Sequence, residues 1–207
     1  MARLRHRDVR VTPVFTYTET TISPEKAREL SRAHTRLTLS RLESLPPDVA
    51  AALAEPRNGE AYENMQLTLN AVREISADAA RELAKHSGSV FLPAVDTISA
   101  EAVKELVGQP GTALVLNGLQ EVSPEVAQAM TGCRRIWLKV GIRDMRPEIA
   151  AILAQCDADL TFSNLKSLSL KSATALQAHG GPLTTLAQVT HFGTVFRIFR
   201  RSIDRKC

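Results

Sequence analysis

Residues 113–130, ALVLNGLQEVSPEVAQAM, contain a strand, a turn and the start of a helix in one short stretch. Leu114 and Leu116 alternate as in a strand that buries one face. Ser123 and Pro124 then mark a helix start, because a Ser hydroxyl accepts from a backbone N–H of the first turn. Pro lacks only a donor that this turn does not use. The stretch therefore predicts one β-strand followed by one α-helix.

The same layout recurs along most of the chain at a nearly constant interval. The predicted helix starts are Ser23, Pro46, Ser76, Ser99, Ser123, Arg146 and Ser169, spaced by 23, 30, 23, 24, 23 and 23 residues. Apolar side chains follow each start at four and seven residues, on one helical face. The one long interval holds the polar segment 55–63, which indicates an insertion loop. An internal repeat of this length is typical of a solenoid.

Before each helix start the apolar spacing changes to two, which predicts a strand. The predicted inward pairs are Leu37 and Leu39, Leu67 and Leu69, Val90 and Leu92, Leu114 and Leu116, Ile136 and Leu138, and Leu160 and Phe162. Pro93 cannot donate to a ladder, so its strand should have only three or four residues. In the Ile136 copy the next anchors, Ile142 and Met145, are displaced by one. We therefore expect an extra residue near Gly141.

One strand and one helix cannot bury their apolar faces alone, so neighbouring units must stack. Strands that are connected through helices run parallel. Strands pack about 4.8 Å apart and helices are about 10 Å wide, so the array should bend with its strands inside. The sequence thus predicts an α/β solenoid of about seven repeats over residues 14–182, shaped as a horseshoe. Its strands should line the concave face and its helices the convex face.

These residues resemble the leucine-rich repeat family. The resemblance is carried by LVL at Leu114, LTL at Leu37 and Leu67, LTF at Leu160, and the period of about 23 residues. It is closest to short, Ser- and Ala-rich bacterial variants of planctomycete type, and it implies a non-enzymatic protein-binding scaffold. The family often has a buried Asn ladder, whereas this chain has Leu42, Val72, Val95, Leu119 and Leu165 at that position. The backbone carbonyls that such an Asn satisfies must therefore find other partners.

Charge is concentrated at the two ends of the 207-residue chain. The net charge is +4, of which residues 1–10 carry +3 and residues 191–207 carry +4, leaving about −3 for the repeats. Residues 1–13 are predicted to form a basic arm, and residues 183–207 a degenerate last repeat with a basic capping helix. The uneven distribution weakens the case for a nucleic-acid cradle, since phosphates need the charge on the binding face.

The basic end also permits two other interpretations, binding to an anionic membrane surface or to nucleic acid. The residues that would act are Arg197, Arg200, Arg201 and Arg205. The sequence contains no apolar window long enough to span a membrane and no apolar signal region at its start. The 3 Cys include no C-x-x-C pair, which suggests a reducing compartment. We therefore expect a cytoplasmic protein.

Two His and two Cys occupy one equivalent position, ten residues after the helix start: His86, Cys133, Cys156 and His179. They could form a metal or redox ladder. Equivalent residues near successive helix ends should lie roughly 8 to 10 Å apart, beyond the reach of a disulfide or a shared metal ion. Structural packing is the favoured interpretation.

The residues between the inward anchors should face the concave surface. The central column is predicted as Thr38, Thr68, Phe91, Val115, Trp137 and Thr161, and the next as Ser40, Asn70, Pro93, Asn117, Lys139 and Ser163. Phe91, Val115 and Trp137 would form an exposed apolar patch, the kind of anchor that protein interfaces use. Asn70, Asn117 and Lys139 would supply polar contacts. The alternative is that Trp137 turns inward and leaves no patch.

Motifs of catalysis are missing from the sequence. It contains no P-loop, G-x-S-x-G, H-E-x-x-H or G-x-G-x-x-G pattern. We expect no enzyme and no cofactor, and a scaffold that binds an unidentified protein or peptide. A peripheral module attached through its basic ends, or a structural fragment of a longer repeat protein, are the alternatives.

Overall fold

The computed structural model describes residues 13–55 and 65–185 as an α/β protein with one eight-stranded parallel sheet. Its strands lie side by side in chain order: β1 (Phe15–Tyr17), β2 (Arg36–Leu39), β3 (Gln66–Leu69), β4 (Ser89–Phe91), β5 (Gly111–Leu116), β6 (Arg135–Val140), β8 (Asp159–Phe162) and β10 (Leu183–Thr185). Two short strands, β7 (Asp144–Met145) and β9 (Ser167–Leu168), pair separately. The three-residue β4 ends before Pro93, as predicted.

The helices begin where the sequence predicts. They are α1 (Pro24–Ala33), α2 (Pro47–Ala54), α3 (Ala77–Leu83), α4 (Ala100–Val107), α5 (Pro124–Met130), α6 (Pro147–Leu153) and α7 (Leu170–Leu176). All five predicted Ser caps accept a backbone N–H three residues later, at 3.1 to 3.3 Å. The caps at Pro46 and Arg146 make no such bond. Each Ser cap stabilises its helix by about 1 kcal/mol.

One continuous apolar core joins the strands to the helices. Leu114 and Leu116 are fully buried, as are Ala127 and Met130 of the helix that follows them. The apolar anchors that follow the strands are buried as well: Leu42, Val72, Val95, Leu119 and Leu165. In β2, β3 and β8, residues alternate between buried and partly buried. One sheet face therefore lies against the helices, and we call the opposite one the open face.

The register of β6 differs from the prediction. Leu138 pairs with Leu114, and Val140 pairs with Leu116, so these two are the inward residues. Ile136, predicted to point inward, is 64% exposed. One residue separates Val140 from the next apolar anchor, Ile142, whereas two residues separate Leu116 from Leu119 in the preceding copy. The prediction of an extra residue near Gly141 is therefore wrong.

The register of β6 was mispredicted because its alternating apolar residues outnumber the two that point inward in one strand. Ile136, Leu138, Val140 and Ile142 alternate with other residues, so two different pairs satisfy the period of two. The structure uses the later pair, Leu138 and Val140, and β6 then begins with Arg135, which is buried and pairs with Gly111. The period alone cannot make that choice.

Several predicted segments lie outside the described residues. These are the basic arm up to residue 12, all of the predicted insertion loop 55–63 except its first residue, and the C-terminal part of the chain from residue 186. Leu183 to Thr185, at the start of the predicted degenerate repeat, form a strand paired with β8. In the described part of the chain, the helices are too short or too polar to cross a membrane.

Candidate binding surface

A central row of side chains crosses the open face in register. It consists of Thr16, Thr38, Thr68, Phe91, Val115, Lys139, Thr161 and Thr184. The predicted threonines take their places on both sides, but Lys139 occupies the position that was predicted for Trp137. Phe91 is partly buried, and Val115 is only 5% exposed. The predicted column is therefore confirmed for the neighbours Phe91 and Val115 and wrong for Trp137, and Val115 offers a partner little surface.

Trp137 lies one step earlier in its strand. It pairs with Ala113 on one side and Asp159 on the other. Its side chain is 58% exposed, and its indole Nε1 donates to Asp159 Oδ2 at 3.1 Å. The alternative in which Trp137 turns into the core is excluded by this exposure. Ile136, beside it in the chain, is exposed as well, so the start of β6 presents two adjacent large apolar residues.

Two charged residues flank the indole. Lys139 follows two residues later on the same face and is partly buried. Asp159, also partly buried, holds the indole through one carboxylate oxygen. Within residues 13–55 and 65–185, neither of them forms a salt bridge. The surface around Trp137 therefore combines an aromatic face with one carboxylate and one ammonium group.

Asn117 has a structural role beside its predicted binding role. Its side-chain Oδ1 accepts from Ser163 Oγ at 2.9 Å, and its backbone O accepts from Asn164 Nδ2 at 3.0 Å. The bond between Asn117 O and Asn164 Nδ2 lies beside Gly141, where a Cβ would lie 1.9 Å from that oxygen and 3.0 Å from that nitrogen. Asn117 thus joins two strands that are not neighbours. Asn70 is exposed at the end of β3.

Arg135 anchors the start of β6, a role that was not predicted from the sequence. Only 2% of it is exposed, and it donates to the backbone oxygens of Ala84, His86, Gly88 and Leu106 at 3.1 to 3.4 Å. A Cβ at Gly111 would lie 2.1 Å from its Nη1, so this glycine makes room for the guanidinium. Burial lowers the pKa of Arg135, since desolvation disfavours the charged form. The only sequence signal is a Gly at the start of the preceding strand.

His86 lies next to this cation and is held neutral. Burial, and then the charge of Arg135, lower the pKa of His86 to about 4. Its Nδ1 is buried without a hydrogen-bond partner in the described structure. A neutral imidazole beside a buried guanidinium avoids placing two positive charges in the core.

The two central cysteines are closer than predicted. Cys156 Sγ donates to Met130 O at 3.6 Å, and the backbone N of Cys133 donates to the same oxygen at 3.0 Å. A hydrogen bond between the two thiols, followed by burial, raises the pKa of Cys133. The two cysteines therefore lie near each other through a shared acceptor, and both are free thiols in the described structure. Over the described ranges, the His, Cys, Asp and Glu side chains form no group of three that could hold a metal ion.

No protein-family model and no curated protein matches the chain in sequence. The chemistry of the open face must therefore be judged from its own residues. An exposed indole with fixed orientation, two flanking charges and a row of threonines suits reversible contact with another molecule.

Proposed function

We propose that this protein is a non-enzymatic protein-binding scaffold of the leucine-rich repeat type. The open face would be the concave wall of a horseshoe, and the helices its convex side. Neighbouring strands share one register in the parallel sheet, and neighbouring helices are wider than strands, which supports such a curvature. The 3 Cys, which include no C-x-x-C pair, suit a cytoplasmic location.

The exposure of Trp137 is the observation that carries the proposal. A large aromatic side chain loses favourable burial when it is left in water, at about 25 cal/mol per Å² of apolar surface. Trp is also the residue type most enriched at the energetic centres of protein interfaces. Ile136 is exposed at the same strand start, but it points to the opposite side of β6 and adds no apolar surface to the open face.

Affinity capture with matched variants tests this proposal. Wild type, Trp137→Ala and Thr38→Ala are used as bait. Thr38 lies on the same open face four strands from Trp137, so it controls for any general change of that face. A partner that binds wild type and Thr38→Ala but not Trp137→Ala supports the proposal. A partner retained by Trp137→Ala, with all three baits equally folded by circular dichroism, contradicts it.

A second candidate function rests on the charge of the chain ends. Arg197, Arg200, Arg201 and Arg205 lie outside the described residues, and they concentrate positive charge in a short segment. They would attach the protein to an anionic membrane or to nucleic acid. Binding to acidic vesicles or DNA should then weaken steeply with salt and disappear when residues 191–207 are removed. Salt-insensitive or absent binding would reject this candidate.

A structural role within a longer repeat protein is the third candidate. It predicts that neighbouring sequence in the gene continues the period of about 23 residues.

A further inference from the structure

We propose that Trp137 and Asp159 together bind a cationic side chain, Arg before Lys, from a segment of the partner. This inference rests on the proposed function and specifies the chemistry of the partner. It is carried by the geometry of the pair, the charge that surrounds it, and the strand register.

The indole is held so that its ring can serve as a platform. The hydrogen bond from Nε1 to Asp159 Oδ2 spans two neighbouring strands, which limits rotation of the ring. The exposed fraction of 58% leaves ring surface in contact with solvent. Trp is the strongest of the aromatic residues in attracting a cation to its face. A ligand cation would therefore find a ring that is already oriented.

Asp159 supplies the negative charge at the edge of that platform. One of its oxygens accepts from the indole, and the carboxylate forms no salt bridge with any described residue. A second exposed carboxylate, Asp157, precedes it by two residues. A carboxylate beside an aromatic face complements a guanidinium, which stacks through its plane and donates through its edge.

Lys139 is a cation on the same face that could compete for Asp159. It follows Trp137 by two residues and pairs with Thr161, not with Asp159. The exposed Arg134 lies just before the strand. In the described residues, 18 Asp and Glu outnumber 16 Lys and Arg. The described part of the chain thus has a small net negative charge, which attracts cations only weakly. The specific attraction of a cationic side chain to Trp137 must come from Asp159.

The single Trp of the chain reports on this site directly. The full-length protein is titrated with acetyl-Gly-Arg-Gly-Arg-Gly-amide and with the same peptide carrying citrulline, which has the shape of Arg without its charge. Tryptophan fluorescence and the indole N–H resonance measure binding. We expect saturable changes with an affinity at least about fivefold higher for the Arg peptide. Equal affinity for the two peptides would overturn the inference.

Two substitutions assign the effect to named groups. Asp159→Asn keeps the shape and an acceptor for the indole but removes the charge, so the preference for Arg over citrulline should disappear. Lys139→Gln removes the competitor and should strengthen Arg binding. A preference for acetyl-Gly-Glu-Gly-Glu-Gly-amide that is lost in Lys139→Gln would instead identify an anionic partner. The comparison of peptides on wild type remains decisive if Asp159→Asn does not fold.

These outcomes separate the inference from the proposed function. Loss of the captured protein partner in Trp137→Ala, without any preference for the Arg peptide, leaves the scaffold and overturns the cation site. A preference for the Arg peptide, with capture unaffected by Trp137→Ala, leaves the cation site and removes the scaffold.

Discussion

The strands β2 and β3 differ from β5 and β6 in length and in what they show to solvent. The first two have four residues each, with every second residue buried and a Thr in the centre of the open face. The second two have six residues each, and β6 buries an Arg while exposing Ile136 and Trp137. Leu residues hold the core of both pairs. β2 and β3 thus add only threonines to the open face, whereas the longer β6 adds an exposed tryptophan to it.

The extension itself depends on a polar anchor. Arg135 bonds to oxygens that lie 29 to 51 residues earlier in the chain, at the ends of α3 and α4 and just beyond α3. These contacts fix the start of β6 beyond the apolar core, where Ile136 and Trp137 have little to cover them. A structural cation therefore sets the position of the exposed indole.

Replacing Arg135 should have the largest effect on stability, because this residue fixes the start of β6 and has no counterpart in β2 or β3. Arg135→Ala leaves four backbone oxygens without their donor and opens a cavity, so we expect a loss of about 3 to 5 kcal/mol in the free energy of unfolding. Urea unfolding followed by circular dichroism measures it. The neighbouring Arg134→Ala, at an exposed position, should stay within about 0.5 kcal/mol. Equal effects of the two substitutions would contradict the anchoring role.

Acid should weaken the same region through His86. Its pKa of about 4 in the folded state lies below the ordinary value near 6.5, so the unfolded chain binds the proton first as the pH falls. The contribution is complete above pH 6.5 and is lost progressively toward pH 4, by about 3 kcal/mol in total. His86→Gln removes this group, and its unfolding free energy should depend less on pH over that window. An unchanged pH dependence in this variant would exclude His86 as the source.

Gly141, directly after β6, should also tolerate substitution poorly. A Cβ there would meet the backbone O of Asn117, so Gly141→Ala should cost about 1 to 3 kcal/mol. Gly132→Ala is the matched control, because its nearest atom lies at 3.6 Å. That variant should be neutral or more stable by up to about 1 kcal/mol in thermal unfolding. A similar cost at both glycines would show that the close approach at Gly141 relaxes freely.

The sequence predicts the elements whose cause is local. Ser caps act within one turn, so the helix starts at Ser23, Ser76 and Ser123 follow from neighbouring residues. The register of the regular strands follows from their Leu pairs. These parts of the fold need no information from distant segments.

The candidate site depends on distant segments and was predicted only in part. Trp137 is exposed, as the predicted binding patch required. Its place in the central row was wrong, because the apolar residues of β6 fit two registers. The burial of Val115 depends on its neighbours across the sheet. Arg135 would be expected in solvent by its type alone, and the oxygens that hold it belong to segments up to 51 residues earlier.

Urea unfolding of two adjacent alanine variants, Trp137→Ala and Leu138→Ala, tests most directly whether the start of β6 is surface or core. Leu138 is fully buried, and its truncation should cost about 2 to 5 kcal/mol. Trp137→Ala should cost less than about 1 kcal/mol, because it removes an exposed side chain and one exposed hydrogen bond. A cost at Trp137 equal to that at Leu138 would place the indole in the core and contradict the binding surface.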